Sequence, residues 1–200
     1  MGEKLKMWNI NHILSRKENK GFTLIEVVFS LCICSVIILT LSYVLNHYAK
    51  MNRKVEELDD MYLNGRYLMD YIEGEIKDGD KIISSDKIPG LNRIIKNNMG
   101  FVIQRIIDAD DKEEYKYITY YHKEETKEII RLSVSGGNEY PHGKRFKEGG
   151  HNSICQHIKS TDTYVDFERS IIRLSFIFDG EINDDLLLET DIFIRCLRDY

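Results

Sequence analysis

Between Val27 and Ala49 the chain carries no Asp, Glu, Lys or Arg. The stretch "VVFSLCICSVIILTLSYVL" inside it is long enough to cross a hydrocarbon layer of about 30 Å as a helix. It is too long and too uniformly apolar for the core helix of a soluble domain. The first twenty residues hold Lys4, Lys6, Arg16, Lys17 and Lys20 against Glu3 and Glu18. The positive-inside rule therefore predicts a cytoplasmic N-terminus, although Lys50, Arg53 and Lys54 beyond the run pull the other way. A secretory signal would need small residues after the apolar region, and the nearest candidate, Thr40-Leu41-Ser42, sits within it.

One residue conflicts with a plain membrane span. Glu26 stands at the start of the run, where a carboxylate costs less than the roughly 2.5 to 3.5 kcal/mol of the helix centre, but still costs. An intramembrane carboxylate asks for a partner. Lys20 is six residues away with Gly21 between them, so the uncut chain offers no good cation. A cut after Gly21 would supply one. Phe22 would then carry a free ammonium, and Phe22 and Glu26 would be neighbours one helical turn apart. The ammonium of a second copy would serve equally well.

Residues Lys20-Gly21-Phe22-Thr23-Leu24-Ile25-Glu26, followed by the apolar run, resemble the processing motif of type IV prepilins and type II secretion pseudopilins. The resemblance covers residues 16–45. It implies that a membrane prepilin peptidase cleaves after Gly21, that Phe22 is N-methylated, and that Glu26 pairs with a neighbour's N-terminus in a filament. The chain is then a peptidase substrate and a structural subunit rather than an enzyme. Its partners are prepilin peptidase, other pilin or pseudopilin subunits and, before assembly, the cytoplasmic membrane. The size, the varied C-terminal part and the ending "IIRLSFIFDG…LETDIFIR" lean towards a minor subunit. The competing reading is an unprocessed, single-pass anchor for an extracellular binding domain.

Beyond the run, Met51, Val55, Leu58, Tyr62, Gly65, Met69, Ile72 and Ile76 recur at alternating steps of four and three. This is one apolar stripe on a helix, with Arg53, Glu56, Asp59, Asp60 and Asp70 off it. No proline intervenes, which predicts one continuous helix from Phe22 to about Ile76, stopped by "KDGD" at 77–80. Gly65 and Gly74 are places for a bend or for close packing by a sheet. After Pro89-Gly90 the pattern changes to β-branched and aromatic runs at 100–107, 115–122, 128–134, 154–158, 164–168, 170–178 and 186–196, with a glycine-rich loop over 135–153. The expected fold class is α+β: a long N-terminal helix packed on an antiparallel β-sheet, as the pilin resemblance also implies. The expected parts are a removed leader at 1–21, a membrane or filament-core segment at 22–49, an amphipathic segment at 50–78 and an extracytoplasmic sheet domain at 79–200.

Other candidates have simpler explanations. Net charge is −5 and both signs are intermixed, so the cluster Lys144-Arg145-Phe146-Lys147 does not by itself make a nucleic-acid face. His142, His151, Cys155 and His157 match no familiar zinc spacing. Asp108, Asp110 and Asp111 lack the glycine and glutamate of a calcium loop, and a solvated hairpin turn is the commoner reading. Cys155 with His151 or His157 has no orienting carboxylate, so no catalytic set, metal or cofactor is assigned. Cys32 and Cys34 read as small fillers of the apolar helix. Cys155 and Cys196 are a candidate disulfide, permitted by an extracytoplasmic setting.

Overall fold

In a computed structural model, residues 21–109, 112–182 and 184–200 are described. The expected leader, through Lys20, lies outside them. Helix α1 runs without interruption over Leu24–Lys77, and the chain divides into two compact units at Ala49/Lys50. In the first unit, every described residue is exposed. Its helical stretch is long and apolar enough to cross a membrane.

The second unit is an α+β structure in which the later part of α1 packs against a largely antiparallel sheet system. Strand β1 (Lys81–Ser84) is followed by a short 3₁₀ turn (Ser85–Lys87) and the single-turn α2 (Leu91–Ile94). Strands β2 (Phe101–Ala109), β3 (Lys112–Lys123) and β4 (Glu128–Gly136) form the expected meander. Helix α3 (Gly143–Glu148) and strand β5 (Gly150–Cys155) occupy much of what reads in sequence as a loop. The chain ends with β6 (Ile158–Asp166), β7 (Ile171–Phe178), β8 (Leu186–Phe193) and β9 (Leu197–Asp199).

Two sheets result where one was expected. Six strands are ordered β5-β4-β3-β2-β1-β9, and three are ordered β6-β7-β8. All pairings are antiparallel except β1 with β9, which places Lys81 opposite Leu197. The expected strand over 154–158 spans the break between β5 and β6, where His157 takes a positive φ of 64°.

The central strands of the six-stranded sheet are buried on both faces, and the alternation of their side chains assigns them. Phe101, Ile103, Ile118, Tyr120 and Ile129 join a core with Leu68, Ile72 and Ile76 of α1 and with Ile172, Leu174, Phe176 and Phe178 of β7. Val102, Tyr117, Ile130 and Leu132 point to the opposite face, where Leu91 of α2 and Phe146 of α3 cover them. Neighbouring strand residues thus serve different cores. Each fully buried Leu, Ile or Phe contributes about 1.5–3 kcal/mol, so the short helices stabilise a whole second layer.

The apolar stripe of α1 is corrected in its first half. Met61, Gly65, Leu68, Ile72 and Ile76 face the sheets, and Met69 is half-buried. Met51, Val55, Leu58 and Tyr62 are exposed. A strict seven-residue repeat drifts by about 20° per heptad around a straight helix, so a stripe seated on the sheet at Ile76 walks off it towards Met51. Gly65 is there for contact: a Cβ would lie 2.2 Å from Leu188 Cδ1 and 2.8 Å from the Phe178 ring. Gly74 meets nothing. Gly79, expected as a helix stop, also serves packing, since its Cβ would lie 2.6 Å from Ile103 Cγ2.

Candidate functional site

Gly21, Phe22 and Thr23 precede the first turn of α1 and are non-helical and exposed, so the Gly21–Phe22 bond lies outside regular structure. Thr23 is the N-cap. Its carbonyl accepts from Val27 N–H at 3.3 Å, and its hydroxyl accepts from Glu26 N–H at 3.3 Å. In return, Glu26 Oε2 accepts the Thr23 backbone N–H at 2.9 Å and the Thr23 hydroxyl at 3.0 Å. Thr23-x-x-Glu26 is a capping box, which satisfies donors that a helix start leaves open.

This corrects the view that Glu26 has no partner in the uncut chain. The signal was local and readable, a threonine three residues before a glutamate at the start of an apolar run. A cation was sought where a backbone amide and a hydroxyl suffice. Lys20, the basic member of the motif, lies outside the described residues.

The other candidates are placed separately. His142 caps α3, its Nδ1 accepting from Lys144 N–H at 3.2 Å. His151 Nε2 lies 2.9 Å from the Lys147 carbonyl. Among the described residues, no three His, Cys, Asp or Glu side chains are grouped to hold a metal ion. Asp110, Asp111 and the Asp108 side chain lie outside the described residues. In the basic cluster, Phe146 is buried and Arg145 donates to the Ser135 carbonyl at 2.8 Å, leaving Lys144 and Lys147 on the surface.

The bond considered between Cys155 and Cys196 is not formed. Both are free thiols at the main core, Cys155 buried and Cys196 partly so. The Cys155 thiol points at the Gln156 and Asn64 carbonyls, at 3.5 and 3.8 Å, and burial pushes it up to about 11.

Two polar networks were not foreseen. Glu75 on α1 receives Arg131 Nε at 2.9 Å and Nη2 at 2.7 Å, and the Tyr120 hydroxyl also donates to it. Arg131 is 7% exposed. Hydrogen bonds to Glu75 raise the guanidinium further, and burial raises the Tyr120 hydroxyl. At the other side of the domain, Lys81 Nζ donates to Tyr140 at 2.9 Å and to Asp199 at 3.0 Å, and Tyr140 donates to Asp199. Those bonds from Tyr140 and Lys81 hold Asp199 down to about 2 and tie β9 to β1. No sequence spacing announces either network, because the partners are 56 and 118 residues apart.

Comparison with known protein families, characterised proteins and solved structures finds no match to this chain.

Proposed function

We propose that this chain is a prepilin-type subunit. It is inserted with its N-terminus in the cytoplasm, cut after Gly21 by prepilin peptidase, N-methylated at Phe22, and assembled into a type IV pilus, a competence pilus or a type II secretion pseudopilus. The observation that carries this reading is the register of the motif on the fold. The glycine–phenylalanine bond sits just ahead of the N-cap, Glu26 lies in the first turn, and an uncharged stretch follows at once. A peptidase needs an extended, accessible bond, and residues 21–23 are non-helical and exposed.

The capping box sharpens the role of Glu26. Before cleavage its carboxylate is held by Thr23, which lowers the cost of keeping it at the membrane border. Cleavage places an ammonium on the residue beside Thr23, and a charged donor outcompetes a neutral one. Glu26 then has a stronger partner, on its own N-terminus or on that of a neighbour.

Mass spectrometry of the mature protein from cells carrying prepilin peptidase tests the reading. It expects a chain beginning at N-methyl-Phe22. An intact Met1, or a cut after Ser42, would overturn it. Glu26→Ala should still be cleaved and should assemble poorly; normal incorporation would remove the charge-pairing role.

A further inference from the structure

Among the described residues, β5 and β9 form the edges of the larger sheet, and β6 and β8 those of the smaller. Three of these edges are blunted. The pairings of β5 with β4 and of β6 with β7 each shift register, and β9 is three residues long. Bulges and short strands keep an edge from recruiting another chain. Strand β8 has neither protection. It pairs with β7 in unbroken register over all eight of its residues, and no strand among the described residues lies on its other side. The Ile194 N–H donates to the Ser170 carbonyl, so by antiparallel alternation the even-numbered residues of β8 spend their backbone groups on β7. Leu187, Glu189, Asp191 and Phe193 turn theirs outward. We propose that β8 takes up an extended segment of another protein as a fourth strand. That segment carries basic side chains opposite Glu189 and Asp191 and apolar ones opposite Leu187 and Phe193.

Exposure and charge select that occupant. Leu187 and Phe193 are exposed by 53% and 64%. Between them, Asp191 is held by Arg173 at 2.7 and 2.8 Å, while Glu189 makes no ion pair among the described residues. Ser175 separates Glu189 from Asp162 on one rung of the sheet, so that rung carries two carboxylates and no cation. The same residues reject a second copy. Antiparallel pairing of two β8 strands over their full length would set Glu189 against Asp191 twice. Parallel pairing in register would set each acid beside its own copy, and like charges placed opposite destabilise a sheet. A basic strand makes both rungs favourable. Its backbone satisfies the four outward residues, and its alternate side chains supply the specificity. The inference concerns the sheet domain and rests on neither processing nor assembly.

The test uses the full chain in detergent and an octapeptide that alternates threonine with valine, lysine, lysine and valine, titrated to about 1 mM. Amide hydrogen exchange, read residue by residue, should slow about tenfold at Leu187, Glu189, Asp191 and Phe193. It should stay unchanged at the residues between them, whose N–H groups β7 already holds. The analogue with glutamate in place of lysine should bind about tenfold more weakly. Glu189→Lys, a change at the surface, should weaken the lysine peptide about fivefold and strengthen its glutamate analogue. No slowing, slowing at β5 or β6 instead, or equal affinity for the two peptides would each overturn the proposal. The first of these is what an edge only guarded by its acidic residues would give. Cleavage at Gly21 is read separately by mass spectrometry, so neither result bears on the other.

Discussion

The two units divide α1 into stretches that satisfy their polar groups in different ways. Among the described residues, the side-chain bonds of the apolar stretch are local: Glu26 with Thr23, Ser35 with the Cys32 carbonyl at 2.7 Å, Thr40 with Ile37 at 2.8 Å and Ser42 with Ile38 at 2.8 Å. The later stretch keeps local pairs, Arg66 with Asp70 and Lys77 with Glu73, and adds distant ones. Glu57 accepts the amides of Glu181 and Ile182, and Glu75 holds Arg131. A helix in lipid must satisfy itself, because no water will. A helix on a sheet can borrow partners from anywhere in the domain.

Breaking the distant kind should cost most. Glu75→Ala leaves a buried guanidinium unpaired, and we expect a loss of about 3–5 kcal/mol in denaturant titration of the full chain in detergent. Pairing it with Arg131→Met should recover most of that; a loss below about 1 kcal/mol for the single variant would mean the pair does not hold helix to sheet. Gly65→Ala forces Leu188 and Phe178 aside while gaining helix propensity, for a net loss of about 1–2 kcal/mol in the same titration. Gly74→Ala, in open space, should instead be neutral or stabilising.

Asp199 offers a pH test of the long-range bonds. Its folded value is held at about 2, below the ordinary value of about 3.9. Its contribution is therefore full above about pH 4 and is lost as pH falls towards about 2. Asp199→Asn should lower stability at pH 6 and flatten the decline between pH 4 and pH 2. An unchanged acid limb would show that the Lys81–Tyr140–Asp199 cluster does not stabilise the fold. The local kind should give the smallest effect. Thr23→Ala removes a cap of about 1 kcal/mol, and hydrogen exchange in bicelles should detect faster opening confined to the first turn of α1. Opening that spreads to β7 or β4 would contradict the local character of that bond.

What the sequence made legible follows the same division. The span, the long helix, the meander and the Thr23–Glu26 box all depend on spacings of four residues or fewer, or on alternation within one strand. The stripe at 51–76 was legible as a stripe but not as two surfaces. Periodicity states which residues share a face and says nothing about how far the sheet beneath it extends. Helix α3 was missed because its six residues sit between glycines and a proline, and the anchor that earns its place is Phe146 in a core assembled from distant strands.

The amino-acid order alone thus determined an apolar helix with a capped, glycine-preceded start and a β-rich remainder. These are outcomes of local sterics, hydrogen bonding and transfer out of water. Only the tertiary structure decided that the strands form two sheets, that β9 returns parallel to β1, that Glu75 belongs to Arg131, and that Met51 to Tyr62 face outward. Those choices depend on contacts between residues far apart in the chain, and no local preference encodes which partner a side chain will meet.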